Sequence, residues 1–194
     1  MRKALLISFA LPALLAPALG RAEARPVNLL LAGGPEANMI DIRLTPDGRS
    51  YVIDSIVPLE VGGSVCANPA GQPNELLCEA RRVGSFEVNA AGGDDVIRVT
   101  GRVTVPITMR GGPGRDTLVG GNGSDKLLGG GGNDRLVGRG GPDLLCGGPG
   151  SDVLVGGPGR DVLIGGAGRD VLRGGPGRNT IVPGARGRRG YRCR

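Results

Sequence analysis

The chain has 194 residues, 39 of them glycine, and it contains no histidine and no tryptophan. Its 24 basic and 18 acidic side chains leave a formal charge of +6. The missing histidine removes H-E-x-x-H metalloprotease chemistry, Ser-His-Asp triads and any imidazole general acid. No G-x-S-x-G elbow, phosphate-binding loop or dinucleotide fingerprint is present either, so the chain is read as a non-enzyme.

Met1-Arg2-Lys3 followed by the apolar run from Ala4 to Gly20 has the form of a secretory signal peptide. Small residues at Ala18-Leu19-Gly20 and Ala22-Glu23-Ala24 offer two cleavage contexts, and residues 1–24 are assigned to the signal. The mature chain is therefore expected to be secreted, extracellular or associated with the cell surface. No later stretch reaches the ~20 apolar residues that a membrane span needs.

From residue 25 to 110 the pattern is β throughout, without helical periodicity. Short strands are predicted from Val27 to Leu31, Met39 to Leu44 and Tyr51 to Asp54, with Pro46-Asp47-Gly48 as a hairpin turn. Ile56 to Val61 is a weaker strand, placed at an edge by Pro58. Residues 25–75 are read as a small N-terminal β module or cap, and residues 76–110 as a degenerate entry to the repeats that follow. Within that entry, Asn89 to Ile97 keeps Asp95 and Ile97 in phase with those repeats.

From 111 to 182 the chain repeats every nine residues, eight times, as G-G-x-G-x-D-x-L-x. The sixth position is Asp116, Asp125, Asp134, Asp143, Asp152, Asp161, Asp170 and finally Asn179. The eighth is Leu at 118, 127, 136, 145, 154, 163 and 172, then Ile181. A glycine-rich run permits a tight turn, and the three residues after the Asp form a short strand with only the eighth position facing inward. The next nonapeptide must return the chain on the other side, so two repeats make one coil. Positions 18 residues apart then stack at about 4.8 Å, the distance between paired strands. By this parity Asp116, Asp134, Asp152 and Asp170 form one column, while Asp125, Asp143, Asp161 and Asn179 form the other. Asp95 falls on the side of Asp116.

This nonapeptide resembles the hemolysin-type, or RTX, calcium-binding repeat family. The resemblance implies an all-β fold with a right-handed parallel β-roll, a β-solenoid, over 111–182. It also implies Ca2+ held between successive turns of one column. The sites carried over lie between 116 and 134, 134 and 152, and 152 and 170 on one side. On the other they pair 125 with 143, 143 with 161, and 161 with Asn179, and Asp95 adds a further ligand. Stacked carboxylates repel unless a hard cation lies between them, and calcium takes 6–8 oxygen ligands in flexible geometry. Folding and metal binding are expected to be coupled. The alternative is a structural or adhesive scaffold with little calcium dependence, its aspartates kept as turn formers.

Two departures stand out. Arg139 replaces a turn glycine and Pro142 precedes Asp143, which weakens the sites that use Asp143. The block from 111 to 182 also carries eight basic side chains against seven Asp, a net +1, with Arg115, Arg160, Arg169 and Arg178 directly before the sixth position. Six bound calcium ions would raise that to about +13, which suits anionic glycans or cell-envelope polymers as partners.

Four cysteines in an exported chain read as disulfides, with Cys66–Cys78 and Cys146–Cys193 as the simplest of three pairings. The second would pin the basic tail, residues 183–194, over the outward apolar residues Leu144, Val162 and Ile164 as a cap. Outward Val119, Val137 and Val155 on one face, and Leu128 and Ile164 on the other, leave three covers open: the N-terminal module, the tail, or a second copy. The Arg-Gly tail could bind nucleic acid, but export argues against that partner.

Overall fold

The computed structural model describes residues 27–55, 66, 67, 69, 72 and 74–184. Apart from one 3-10 turn at Ala80–Arg82, its regular elements are sixteen strands. They are β1 (Val27–Ala32), β2 (Met39–Leu44), β3 (Ser50–Ser55), β4 (Cys66–Ala67), β5 (Glu75–Glu79), β6 (Val83–Asn89), β7 (Val96–Thr100) and β8 (Ile107–Pro113). The repeats add β9 (Thr117–Val119), β10 (Lys126–Gly131), β11 (Arg135–Val137), β12 (Leu144–Pro149), β13 (Val153–Val155), β14 (Val162–Ala167), β15 (Val171–Arg173) and β16 (Thr180–Val182).

Two sheets result. One has the order β1-β6-β8-β10-β12-β14-β16, the other β15-β13-β11-β9-β7-β2-β3-β5-β4. From β6 onward consecutive strands alternate between the sheets, and every pairing along the stack is parallel. This is a β-solenoid. The register pairs Leu127 with Leu145 and Leu136 with Leu154, so one coil takes two nonapeptides.

The interior follows from the repeat pattern. A repeat strand turns its leucine inward and glycine takes the next inward position, as Leu127 and Gly129 do in β10, and Leu118, Leu127, Leu136, Leu145, Leu154 and Leu163 are all fully buried. The N-terminal strands turn two large side chains inward: Leu29 and Leu31, Ile40 and Ile42, Phe86 and Val88, Ile97 and Val99. The core therefore widens toward the N-terminus and narrows toward the last repeats. At that far end Leu172 is half-buried and Ile181 is 45% exposed.

The stacking starts earlier than residue 76, where the sequence pattern puts the entry to the solenoid. β1 pairs parallel with β6, and β2 pairs parallel with β7, so the first coil is built from residues that the sequence pattern assigns to an N-terminal β module or cap. The chain then leaves the stack. β3, β5 and β4 extend the second sheet antiparallel beyond β2 before β6 resumes the coil. Tyr51 of this extension meets Phe86 of β6 edge-on, with ring centroids 5.1 Å apart, and so helps cover the N-terminal end of the core. A disulfide joins Cys66 of β4 to Cys78 of β5, which face each other across the ladder. The predicted strand from Ile56 to Val61 lies outside the described residues.

Candidate metal centre

Each sixth-position residue sits in the turn just before a strand, and the stacking of those strands sets it above its counterpart one coil away. The main chain then ties the rungs together. The Asp95 N–H donates to Asp116 Oδ1 at 2.9 Å, Asp116 to Asp134 at 2.9 Å, Asp134 to Asp152 at 2.8 Å and Asp152 to Asp170 at 3.1 Å. In the opposite column Asp125 donates to Asp143 at 2.9 Å, Asp143 to Asp161 at 3.0 Å and Asp161 to Asn179 at 2.9 Å.

That ladder uses only one oxygen of each carboxylate. The second oxygen, Oδ2, of Asp95, Asp116, Asp134, Asp143, Asp152, Asp161 and Asp170 is buried without a hydrogen-bond partner. Leaving a buried acceptor unmatched costs about 1–3 kcal/mol, and more when it is charged. Five such atoms lie in the column of Asp116 and two in the column of Asp143. Asp125 is the exception, because its Oδ2 accepts from the Gly121 N–H at 2.6 Å.

Glycine makes room for these oxygens. A side chain on Gly147 would overlap Asp152 Oδ2 and stand 2.6 Å from the Gly165 carbonyl oxygen. At the second position of the turn, Gly130 has φ 120°, and a side chain there would overlap the Gly112 carbonyl of the preceding coil. Main-chain oxygens are thus brought against the next turn along the column, where hard oxygen ligands belong.

The electrostatics agree. Burial pushes the carboxyls of Asp116 and Asp143 up to about 7 and that of Asp152 to about 6, with neighbouring column carboxylates pushing the same way. The main-chain N–H on each Oδ1 opposes the shift. Burial also raises Asp95, Asp125, Asp134 and Asp161. Among the described residues no group of three or more Asp, Glu, Cys or His side chains gathers at one point. The geometry explains this, since each turn supplies one carboxylate and a site between two turns must be completed by carbonyls. Calcium, which accepts carbonyl and carboxylate oxygen alike, fits that donor set.

A family model described as RTX calcium-binding nonapeptide repeat (4 copies) matches residues 110–145 and again residues 147–181. These segments are RTX calcium-binding repeats. Curated proteins and solved structures give no match to the chain.

The RTX segment does not contain the whole column. Asp95 lies ahead of it and is hydrogen-bonded into the same ladder as Asp116, after a coil of 21 rather than 18 residues. One rung further on is Asn38, which sequence reasoning missed. Its N–H donates to Asp95 Oδ1 at 2.6 Å, and its side-chain amide donates to the carbonyls of Glu36 at 2.6 Å and Ala90 at 3.0 Å. The signal was present: Gly33-Gly34-Pro35-Glu36-Ala37-Asn38-Met39-Ile40 keeps the glycine pair, the sixth-position Asn and the eighth-position aliphatic. Asn179 ends the opposite column in a related way, its amide donating to the Gly175 carbonyl at 2.9 Å. At both ends an amide brings its own N–H donors to carbonyls of the turn. That opposite column has no carboxylate above Asp125, because Ile107 occupies the rung and donates its N–H to Asp125 Oδ1 at 3.0 Å.

Arg139 takes the backbone conformation of the glycine it replaces, with φ 74°, at a cost of roughly 1–2 kcal/mol. Its guanidinium donates to the Val99 carbonyl in β7, which links the RTX repeats to the coils before them. Asp143 nevertheless keeps its rung, accepting from Asp125 and donating to Asp161. On the outer face Cys146 and Ile164 are buried, and Cys146 is disulfide-bonded. Its expected partner Cys193, and the tail proposed to cover this face, lie outside the described residues. No helix among the described residues is long and apolar enough to cross a membrane.

Proposed function

We propose that this protein binds several calcium ions between the stacked turns of its two columns, and that binding completes folding. The observation that carries the reading is the row of buried, partnerless Oδ2 atoms. Asp95, Asp116, Asp134, Asp152 and Asp170 would hold ions along one column, and Asp125, Asp143 and Asp161 along the other, each site completed by turn carbonyls. Asn179 offers a neutral oxygen and so the weakest site. Calcium supplies the positive charge that neither column contains; the chain supplies oxygens fixed by the parallel ladder. The basic head and apolar run at 1–24 support export, where calcium at 10⁻⁴–10⁻³ M suits modules of modest affinity.

Far-ultraviolet circular dichroism of the purified chain during a calcium titration, with magnesium as control, tests this. A cooperative gain of β signal with calcium alone is expected. An unchanged spectrum together with no heat of binding in calorimetry would favour the second reading, a scaffold in which the aspartates only form turns. That reading rests on the Oδ1 hydrogen bonds, which need no metal.

A further inference from the structure

Charge in the RTX repeats is sorted by depth. Between 111 and 182 the acidic residues are the seven column aspartates, and no glutamate occurs. All seven are buried or half-buried in the turns. The cations of the same stretch lie outside: Arg135, Arg160, Arg169, Arg173 and Arg178 are exposed and form no ion pair with a described residue. Arg115, at the N-terminal end of the repeats, is instead paired with the exposed Asp94, so the basic surface without a paired carboxylate is the one these five arginines form.

The arginines are also ordered by the coil. Arg160 and Arg178 hold the same place in adjacent turns of one column, about one strand spacing of 4.8 Å apart. Arg173 ends β15 immediately before the turn that carries Arg178. We infer that this edge is a docking surface for an anionic polysaccharide, with Arg160, Arg173 and Arg178 as its centre and Arg169 on the neighbouring turn column. A guanidinium fork matches a carboxylate or sulfate bidentately, and a row spaced by the coil suits a polymer with regularly spaced charges. Residues 111–182 contain no aromatic side chain, so single-stranded nucleic acid finds no stacking platform. No helix long enough to enter a duplex major groove is present among the described residues.

The test is binding of the calcium-saturated full chain to immobilised heparin over a range of salt, with calcium calorimetry on the same sample. Wild type should bind, and R160Q/R169Q/R173Q/R178Q should lose at least about tenfold while keeping its circular dichroism spectrum. Its salt slope should flatten by about one unit per removed cation. The quadruple lysine variant should fall between the two, since charge is kept and the fork is lost. Equal binding by wild type and the glutamine variant, or competition by duplex DNA as strong as by soluble heparin, would overturn the proposal. Arginine-dependent heparin binding without heat from calcium would sink the calcium reading and leave this surface standing. Calcium binding without heparin binding would do the reverse.

Discussion

The backbone N–H of Asp116 donates to Asp134 Oδ1 at 2.9 Å, and the other oxygen of Asp134 is left buried with no partner. One residue thus both builds the stack and demands something of it. The hydrogen bond fixes the register between coils, and the orphan oxygen makes the same coils costly to close without a cation. Coil register and an unmatched buried oxygen meet in a single side chain, repeated rung after rung.

That conflict gives Asp152→Asn a sign that ordinary site mutations lack. The amide keeps an oxygen for the Asp134 N–H and replaces the orphan acceptor by a donor. Asn38 and Asn179 already make this exchange at the column ends. In chelator the variant should melt higher than wild type, by the order of 1–3 kcal/mol. In saturating calcium it should melt lower, because two adjacent proposed sites lose a carboxylate. Thermal melts in both buffers check this; a loss of stability in chelator would mean that Oδ2 is not a metal-free liability.

Acid should partly replace calcium. Burial holds Asp116 and Asp143 near 7 and Asp152 near 6 in the folded chain, against about 3.9 when unfolded. Above pH ~7 the folded state carries the full cost of buried charge. As pH falls from about 7 toward 4 it binds protons that the unfolded chain releases, so the metal-free fold gains stability. On the proposed reading calcium would compete with those protons, and its affinity should fall over the same window. Melts in chelator at pH 8 and pH 5, beside calcium titrations at both, measure the two trends. A metal-free melting temperature lower at pH 5 than at pH 8 contradicts the assignment.

How much of this was legible in the sequence depends on periodicity. The parity that puts Asp116 with Asp134 and Asp125 with Asp143 follows from carboxylates at constant spacing, and the fully buried Leu118-to-Leu163 row follows from the eighth position. Asn38 was hidden because its next rung lies 57 residues on, beyond the antiparallel excursion of β3 to β5. Ile107 was hidden for a different reason. The turn between β7 and β8 is irregular, the coil there takes 21 residues, and an apolar side chain gives no sign that it stands on a carboxylate rung. Periodicity reports the stack only where no insertion interrupts it.

Two glycines in the same turn type should behave in opposite ways. Gly147→Ala places a methyl group against Asp152 Oδ2 and 2.6 Å from the Gly165 carbonyl, so it should cost about 1–3 kcal/mol and weaken calcium binding there. Gly131→Ala meets nothing within 4 Å and restricts only the unfolded chain, which should stabilise by about 0.4–1 kcal/mol. Chemical denaturation of both variants in calcium decides the point, and equal effects would mean that first-position glycines do not shape the metal cavity.

The leucine row tests where the stack is strong. Leu136 is fully buried between coils on both sides, paired with Leu118 and Leu154. Leu136→Ala should cost about 2–5 kcal/mol, since rigid neighbours above and below leave a cavity that cannot collapse. Ile181 is 45% exposed on the last strand, so Ile181→Ala should cost well under that range, within about 1 kcal/mol. Because each coil touches only its neighbours, the two losses should also differ in kind. The Leu136 variant should lower the single main transition of the calcium-loaded chain, while the Ile181 variant should fray the last repeat and leave that transition in place. Hydrogen exchange resolved along the chain distinguishes these outcomes. Equal fraying from both variants would show that the coils are not cooperatively joined.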